Sequence, residues 1–284
     1  MRCELRGVPG SRERATSMAG TKLLVLLSAL GLLLPAGRES SDVISAPTII
    51  ARSVEANERD WEATPQYDYS ERDLARGGSR TYREIMILGS PYARLIAVNG
   101  ATLSPEQQAE EQEKLDAVVA ERQAESEQQR AERIAHYERD RKRDHLLLEQ
   151  LTAAFDFTLT GEEKLGGCEV YVLKATPRAG YQPPNMDTEV LRGMEGKLWI
   201  DESTFQWVKV EARVIRPVAI GGFLARVEPG TQFALEKMPV EDGVWLPKHF
   251  SMKSRARILF LFSRRTVQDE SYFDYRKAAT AQPQ

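Results

Sequence analysis

Residues 196–215 read GKLWIDESTFQWVKVEARVI. Gly196 to Ile200 and Trp207 to Ile215 are β-rich runs, and the polar stretch Asp201 to Thr204 between them carries turn-forming residues. The same texture continues on both sides. Phe155 to Thr160 alternates apolar and polar, as Cys168 to Thr176 does in part. Gly222 to Val227, Thr231 to Met238, Val244 to Met252, Arg257 to Ser263 and Ser271 to Tyr275 are further β-rich runs with short turn-rich separators. Strands this close in sequence pair antiparallel, because a parallel crossover takes a dozen or more residues. The fold class expected is therefore α+β, mainly β, built on a twisted antiparallel sheet.

Within several runs the two faces differ. Phe223, Ala225 and Val227 point one way and Arg226 and Glu228 the other; Phe233 and Leu235 oppose Gln232 and Glu236. One face is thus apolar and must be covered or curve around something apolar. The residues available for it are Trp199, Trp207, Phe223, Phe233, Leu235, Trp245, Phe250, Phe260 and Phe262. Residues of these types are more often plain core than ligand lining, so they are candidates for an apolar binding face and equally for the filling of a closed barrel. Arg257 to Phe262 is continuously apolar after its arginine, which predicts cover on both faces, with the long helix described next on one of them.

The N-terminal half reads differently. Residues 37–78 are polar, with a strand at an edge expected over Gln66 to Asp73. Thr81 to Leu88 and Tyr92 to Val98 form a hairpin joined by Gly89-Ser90-Pro91, and Asn99-Gly100 ends it. Ser104-Pro105-Glu106-Gln107 is a helix start with a capping serine, a proline at the first helical position and a glutamine three residues after the cap. No Gly or Pro follows until Gly161. A helix over 104–151 would be ~65–70 Å long at 1.5 Å per residue, so it must project, bend or break. Leu115 with Val118 and Val119, and Ile134 with Tyr137, keep helical spacing, which predicts two short docked patches with a solvated middle between them; Glu132 to Asp144 mixes charges of both signs, as a solvated helix does. His136 and His145 lack the spacing of a helical metal pair and are expected at the surface.

Leu23 to Leu34, LLVLLSALGLLL, follows basic residues and precedes Pro35-Ala36-Gly37. Twelve apolar residues suit a secretory signal over 1–36, with Met18 an alternative start, better than a membrane anchor, which needs about 20. Export without a stable membrane span, and a periplasmic location, are expected. Cys3 would leave with the signal, making Cys168 a lone thiol. The 284 residues carry 39 Lys+Arg against 42 Asp+Glu, a net charge of −3 that argues against a nucleic-acid partner. Mean hydropathy of −0.44 reflects the charged helix diluting a folded sheet. Two cysteines and three histidines are too few for the usual structural zinc sites. No G-x-S-x-G, H-E-x-x-H, Walker or G-x-G-x-x-G sequence is present, so neither a catalytic residue, a metal nor a cofactor is expected. His249 reads as a strand histidine.

The hairpin Glu195 to Asp201 with Ser203 to Glu211, of the form x-W-I-D-x-x-T-x-x-x-x-K, and the strand start Gly243-Val244-Trp245-Leu246-Pro247-Lys248 resemble the exported outer-membrane lipoprotein-sorting proteins of the LolA-like superfamily. Asp201 and Thr204 are suited to bond turn amides. The resemblance covers roughly the C-terminal half. It implies a half-open antiparallel barrel over 79–278 with a concave apolar face, no catalytic residues, and transient binding of lipoprotein acyl chains or lipid. The relatives include the sigma-factor regulatory protein RseB, which implies the alternative of an envelope partner docked through helix 104–151. The long charged helix after the first hairpin departs from the family pattern. Residues 279–284 are expected to be a disordered tail.

Overall fold

The computed structural model describes residues 44–278, apart from 76, 223 and 259–261. The signal expected over 1–36 and the tail over 279–284 lie outside the described residues. Among the described residues no helix is long and apolar enough to cross a membrane.

The chain runs α1 (Ala46–Ala63), β1 (Tyr67–Ala75), β2 (Gly78–Ile87), β3 (Ser90–Val98), β4 (Ala101–Thr102), α2 (Pro105–Ala124), α3 (Glu127–Glu149), α4 (Leu151–Ala154), β5 (Phe155–Leu165) and β6 (Cys168–Pro177). It continues with β7 (Met194–Asp201), β8 (Trp207–Val214), β9 (Val218–Ile220), β10 (Ala225–Val227), β11 (Gln232–Pro239), β12 (Trp245–Ile258) and β13 (Phe262–Lys277). All strand pairs described are antiparallel, in the order β4-β3-β2-β1-β13-β12-β11-β8-β7-β6-β5, with β10 beside β12 and β9 beside β10. The sheet is open, with β4 at one edge and β5 at the other: an antiparallel half-barrel.

This order explains the helical insertion. Residues 103–154 join β4 to β5, the two opposite edges. Ten strand spacings of about 4.8 Å separate those edges along the sheet, so only a long connection can span them. The expected single helix breaks at Glu125-Ser126, where Ser126 caps α3 with its own box: Gln129 N–H donates to Ser126 Oγ, and Ser126 N–H to Gln129 Oε1. A second capping sequence inside the helical run ends α2 without Gly or Pro. α2 follows β3, with Leu95 N–H donating to Glu111 Oε2 at 3.3 Å. α3 then crosses from the β2–β3 turn to α1 and delivers the chain to β5.

The middle of the insertion is docked, contrary to the solvated middle expected. Arg122 donates to the carbonyls of Ile87, Ser90 and Pro91, and Arg133 to Ser90 Oγ, Leu88 O and the Glu125 carboxylate. The turn they grip is Leu88-Gly89, both with positive φ (47° and 93°), so Ser90 and Pro91 already belong to β3.

Other expectations are corrected. Residues 46–63 form a helix, and β1 lies inside the sheet between β13 and β2, not at an edge. The runs 244–252, 257–263 and 271–275 are parts of two long strands, because 253–256 keeps pairing with 264–267. The helix on β12 is α1, while the long insertion packs on β3; the apolar middle of 257–262 lies outside the described residues. His145 is buried, its Nε2 2.6 Å from Glu58 Oε2 and its ring stacked on Trp61 at 4.4 Å. No described cysteine is free; the lone thiol expected at Cys168 concerns the chain without Cys3, which lies outside the described residues.

Candidate functional site

The inner face of the half-barrel is set by register. Two cross-strand rows run Leu173–Leu198–Val210–Leu235–Phe250 and Ala175–Gly196–Ala212–Phe233–Met252 across β6, β7, β8, β11 and β12. Leu173, Ala175, Leu198 and Val210 are buried in the main core, and Ala212, Phe233 and Leu235 pack against it.

Helix α1 lies on this face. Its buried positions Ile49, Ile50, Ser53, Ala56, Asn57 and Asp60 form one stripe at helical spacing. The apolar half of that stripe enters the core; the polar half bonds to the sheet. Trp207 Nε1 donates to Ser53 Oγ at 3.3 Å. Lys237 Nζ donates to Asn57 Oδ1 and Asp60 Oδ2, both at 2.8 Å. Gln206 Nε2 and the Trp245 N–H both reach Asp60 Oδ1 at 3.1 Å. The chain thus supplies its own cover for β5 to β8. Beyond this cover, Phe233 and Leu235 on β11 and Phe250 and Met252 on β12 remain half-buried, and the two rows end in polar Glu270 and Gln268 on β13.

The nine apolar candidates do not share one face. Trp207, Phe233, Leu235 and Phe250 are on the inner face. Trp199 and Trp245 are on the outer one, in a second cluster with Cys168, Val170 and Val172. The cause is a register shift between Trp199 and Ile200, which pairs Trp207 with Ile200 and puts the two hairpin tryptophans on opposite sides. Phe223 and Phe260 lie outside the described residues, as does the side chain of Phe262. The turn chemistry is as expected: Asp201 Oδ1 accepts from the backbone N–H groups of Ser203 and Thr204 at 3.1 and 2.8 Å and from both hydroxyls.

Under α3 the inner face changes character. Tyr69 and Glu71 of β1, Glu84 of β2, and Glu270 and Tyr272 of β13 face Tyr137 of α3. Tyr69 lies 6.0 Å from Tyr272 and 5.4 Å from Tyr275, ring to ring. Tyr272 O–H donates to Glu270 at 2.6 Å. Burial, reinforced by the neighbouring Glu270, Glu84 and Asp73, pushes the Glu71 carboxyl up to about 7, and burial also raises Glu84. Among the described residues no group of His, Cys, Asp and Glu is placed to hold a metal. His249 pairs with Asp269 at 3.1 Å.

No family model matches the chain, and no curated protein does. Among solved structures it is similar to three with the following values. A putative outer membrane lipoprotein-sorting protein domain from Vibrio parahaemolyticus is 11% identical, with 82% of this chain and 95% of that one covered and a TM-score of 0.32. A LolA superfamily protein from Nitrosomonas europaea is 14% identical, with 84% and 96% covered and a TM-score of 0.32. The MucA/MucB complex of Pseudomonas aeruginosa is 13% identical, with 80% and 99% covered and a TM-score of 0.22. The chain resembles LolA-like structures.

Helix α1 carries few sequence signals. Its signals were Ser45 before Pro47 at a helix start and the pair Ile49-Ile50. They were masked because half of the buried stripe is Ser, Asn and Asp.

Proposed function

We propose that the chain is an exported, non-catalytic protein that holds an acyl chain of a lipid or lipoprotein on the inner sheet face, beside α1. The observation that carries this reading is the run of Phe233, Leu235, Phe250 and Met252, half-buried on one face and continuous with the core. An amphiphile laid along these rows would place methylenes on the aromatic and aliphatic groups and its polar end toward Gln268 and Glu270. Burying about six methylenes contributes roughly 5 kcal/mol, enough for sub-millimolar binding. The apolar run at Leu23 to Leu34 supports export to the periplasm.

The test is titration of the protein, expressed without residues 1–36, with a fluorescent fatty acyl probe, together with mass spectrometry of lipid retained after native purification. Phe233→Asp and Phe250→Asp should each weaken probe binding at least tenfold, while Val267→Asp, at an exposed position of β13, should not. If the unaltered protein binds no probe and retains no lipid, acyl binding is refuted; specific capture of an envelope protein through 104–151 would then favour partner docking.

A further inference from the structure

The outer face of the sheet, opposite α1, carries a second feature that the acyl-binding reading does not use. A groove of about 610 Å³ runs over β6, β7, β8, β11 and β12. Its floor is made by Ala234 and Ser251 together with Gly196, Ala212 and Phe233, which register sets toward the inner face, and its walls by long polar and charged residues.

Two of the cations face each other across adjacent strands. Lys174 and Lys197 are direct cross-strand partners, with Glu211 next in the row and then Ala234 and Ser251. Like charges directly opposite each other are destabilising in a sheet. Glu211 does not relieve them as an ion-pair partner: its carboxylate is 2.7 Å from Lys209. Glu195 is likewise engaged, by Arg213. Lys197 lies over the Trp199 ring at 4.5 Å. Lys253 closes the far wall, next to Gln232. Among the described residues, Lys174, Lys197 and Lys253 have no carboxylate within 4.0 Å, so the groove offers three ammonium groups, the Gln232 amide and the Ser251 hydroxyl, and both of its carboxylates are paired.

We infer that this outer groove binds an anion of the phosphate-ester class, of headgroup or sugar-phosphate size, between Lys174 and Lys197 on one side and Lys253 on the other. The volume lies in the range of small-molecule sites, about 300–1,000 Å³, well above what a bare ion needs. The chemistry is shared by a soluble phosphate ester and by the headgroup of an anionic phospholipid.

Two arms separate these sources. In the first, the protein is titrated calorimetrically with inorganic phosphate and with glycerol 3-phosphate at low salt; in the second, flotation compares vesicles of phosphatidylglycerol with vesicles of phosphatidylcholine. The expected result is binding in at least one arm, tighter for glycerol 3-phosphate than for inorganic phosphate or selective for phosphatidylglycerol. Lys174→Gln, Lys197→Gln and Lys253→Gln should each weaken it by about tenfold, the scale of one lost charged hydrogen bond. Lys164→Gln, which removes a β5 lysine already paired with Glu169 and set by register on the opposite face, should leave it unchanged. Circular dichroism and the unfolding midpoint of each variant exclude misfolding as the cause. The inference is overturned if neither arm detects binding, or if Lys164→Gln weakens it as much as the groove substitutions. Acyl-probe binding on the inner face should be indifferent to all four substitutions, so the two sites fail or stand separately.

Discussion

Lys237 Nζ lies 2.8 Å from Asp60 Oδ2, with only 8% and 5% of the two side chains exposed. This ion pair ties α1 to β11, and Asp60 also accepts from Gln206 and the Trp245 N–H. Desolvation pulls the Lys237 ammonium below its ordinary range, and the Asp60 charge opposes that fall. Removing one partner strands the other: Asp60→Ala should cost about 3–5 kcal/mol. The double variant Asp60→Ala/Lys237→Met should recover part of that loss, because no buried charge remains unpaired. Urea unfolding of the single and double variants measures both; equal stability of Asp60→Ala and the unaltered protein would refute the anchoring role.

The elbow between α2 and α3 depends on two guanidinium groups that grip one turn. Arg122 reaches three carbonyls, and Arg133 bridges Leu88 O, Ser90 Oγ and Glu125. A lysine cannot reproduce either planar fork. Arg122→Lys and Arg133→Lys should therefore each lower stability by about 1–3 kcal/mol. Faster hydrogen exchange should follow in α2 and in the first turns of α3. Unchanged protection in those segments would mean that the elbow is held by other contacts.

The strands were largely legible because their period and turn residues are local signals: the Asp201 turn and the alternation at Phe233 and Leu235 read correctly. The faces were not, because one register shift beside Trp199 inverts the side on which Trp207 lies, and nothing in GKLWIDESTFQW announces a bulge. The helical insertion was legible as a helix of excessive length. Its purpose required topology: only the edge positions of β4 and β5 explain why the chain needs so long a crossing. The helix α1 was hidden because its buried stripe trades apolar residues for Ser53, Asn57 and Asp60, whose partners lie about 150 or more residues away.

At Gly89 the same turn sets a steric condition. Its φ is +93°, and a Cβ built there would stand 2.8 Å from Ile134 Cδ1 of α3. Gly89→Ala should cost about 1–3 kcal/mol from backbone strain and this close approach. Ile134→Val, which removes the Cδ1 atom, should be less harmful in the Gly89→Ala background than alone, since it relieves the contact while leaving the strain. Thermal unfolding of the four proteins in this cycle reads the coupling; strict additivity would place the whole effect in the backbone.

The acidic and tyrosine-rich patch under α3 predicts a pH dependence of defined sign. Glu71 is raised in the folded state from an ordinary 4.5 to about 7, chiefly by burial and then by Glu270, Glu84 and Asp73. Between those two values the folded chain holds more protons than the unfolded one, so stability falls as pH rises through the window and returns on acidification toward 5. Glu84 is raised by burial and contributes with the same sign. The Glu71 contribution should be on the order of 1–3 kcal/mol, the upper end being the full shift and the lower end allowing for partial solvent screening. Glu106 and Glu125 are lowered, so their opposite dependence falls below pH 4.5 and outside the window. Urea unfolding at pH 5, 6, 7 and 8 measures the slope. Glu71→Gln, which keeps the shape and removes the titration, should flatten the curve and raise stability at pH 8. A variant whose slope matches that of the unaltered protein would assign the dependence to groups elsewhere in the chain.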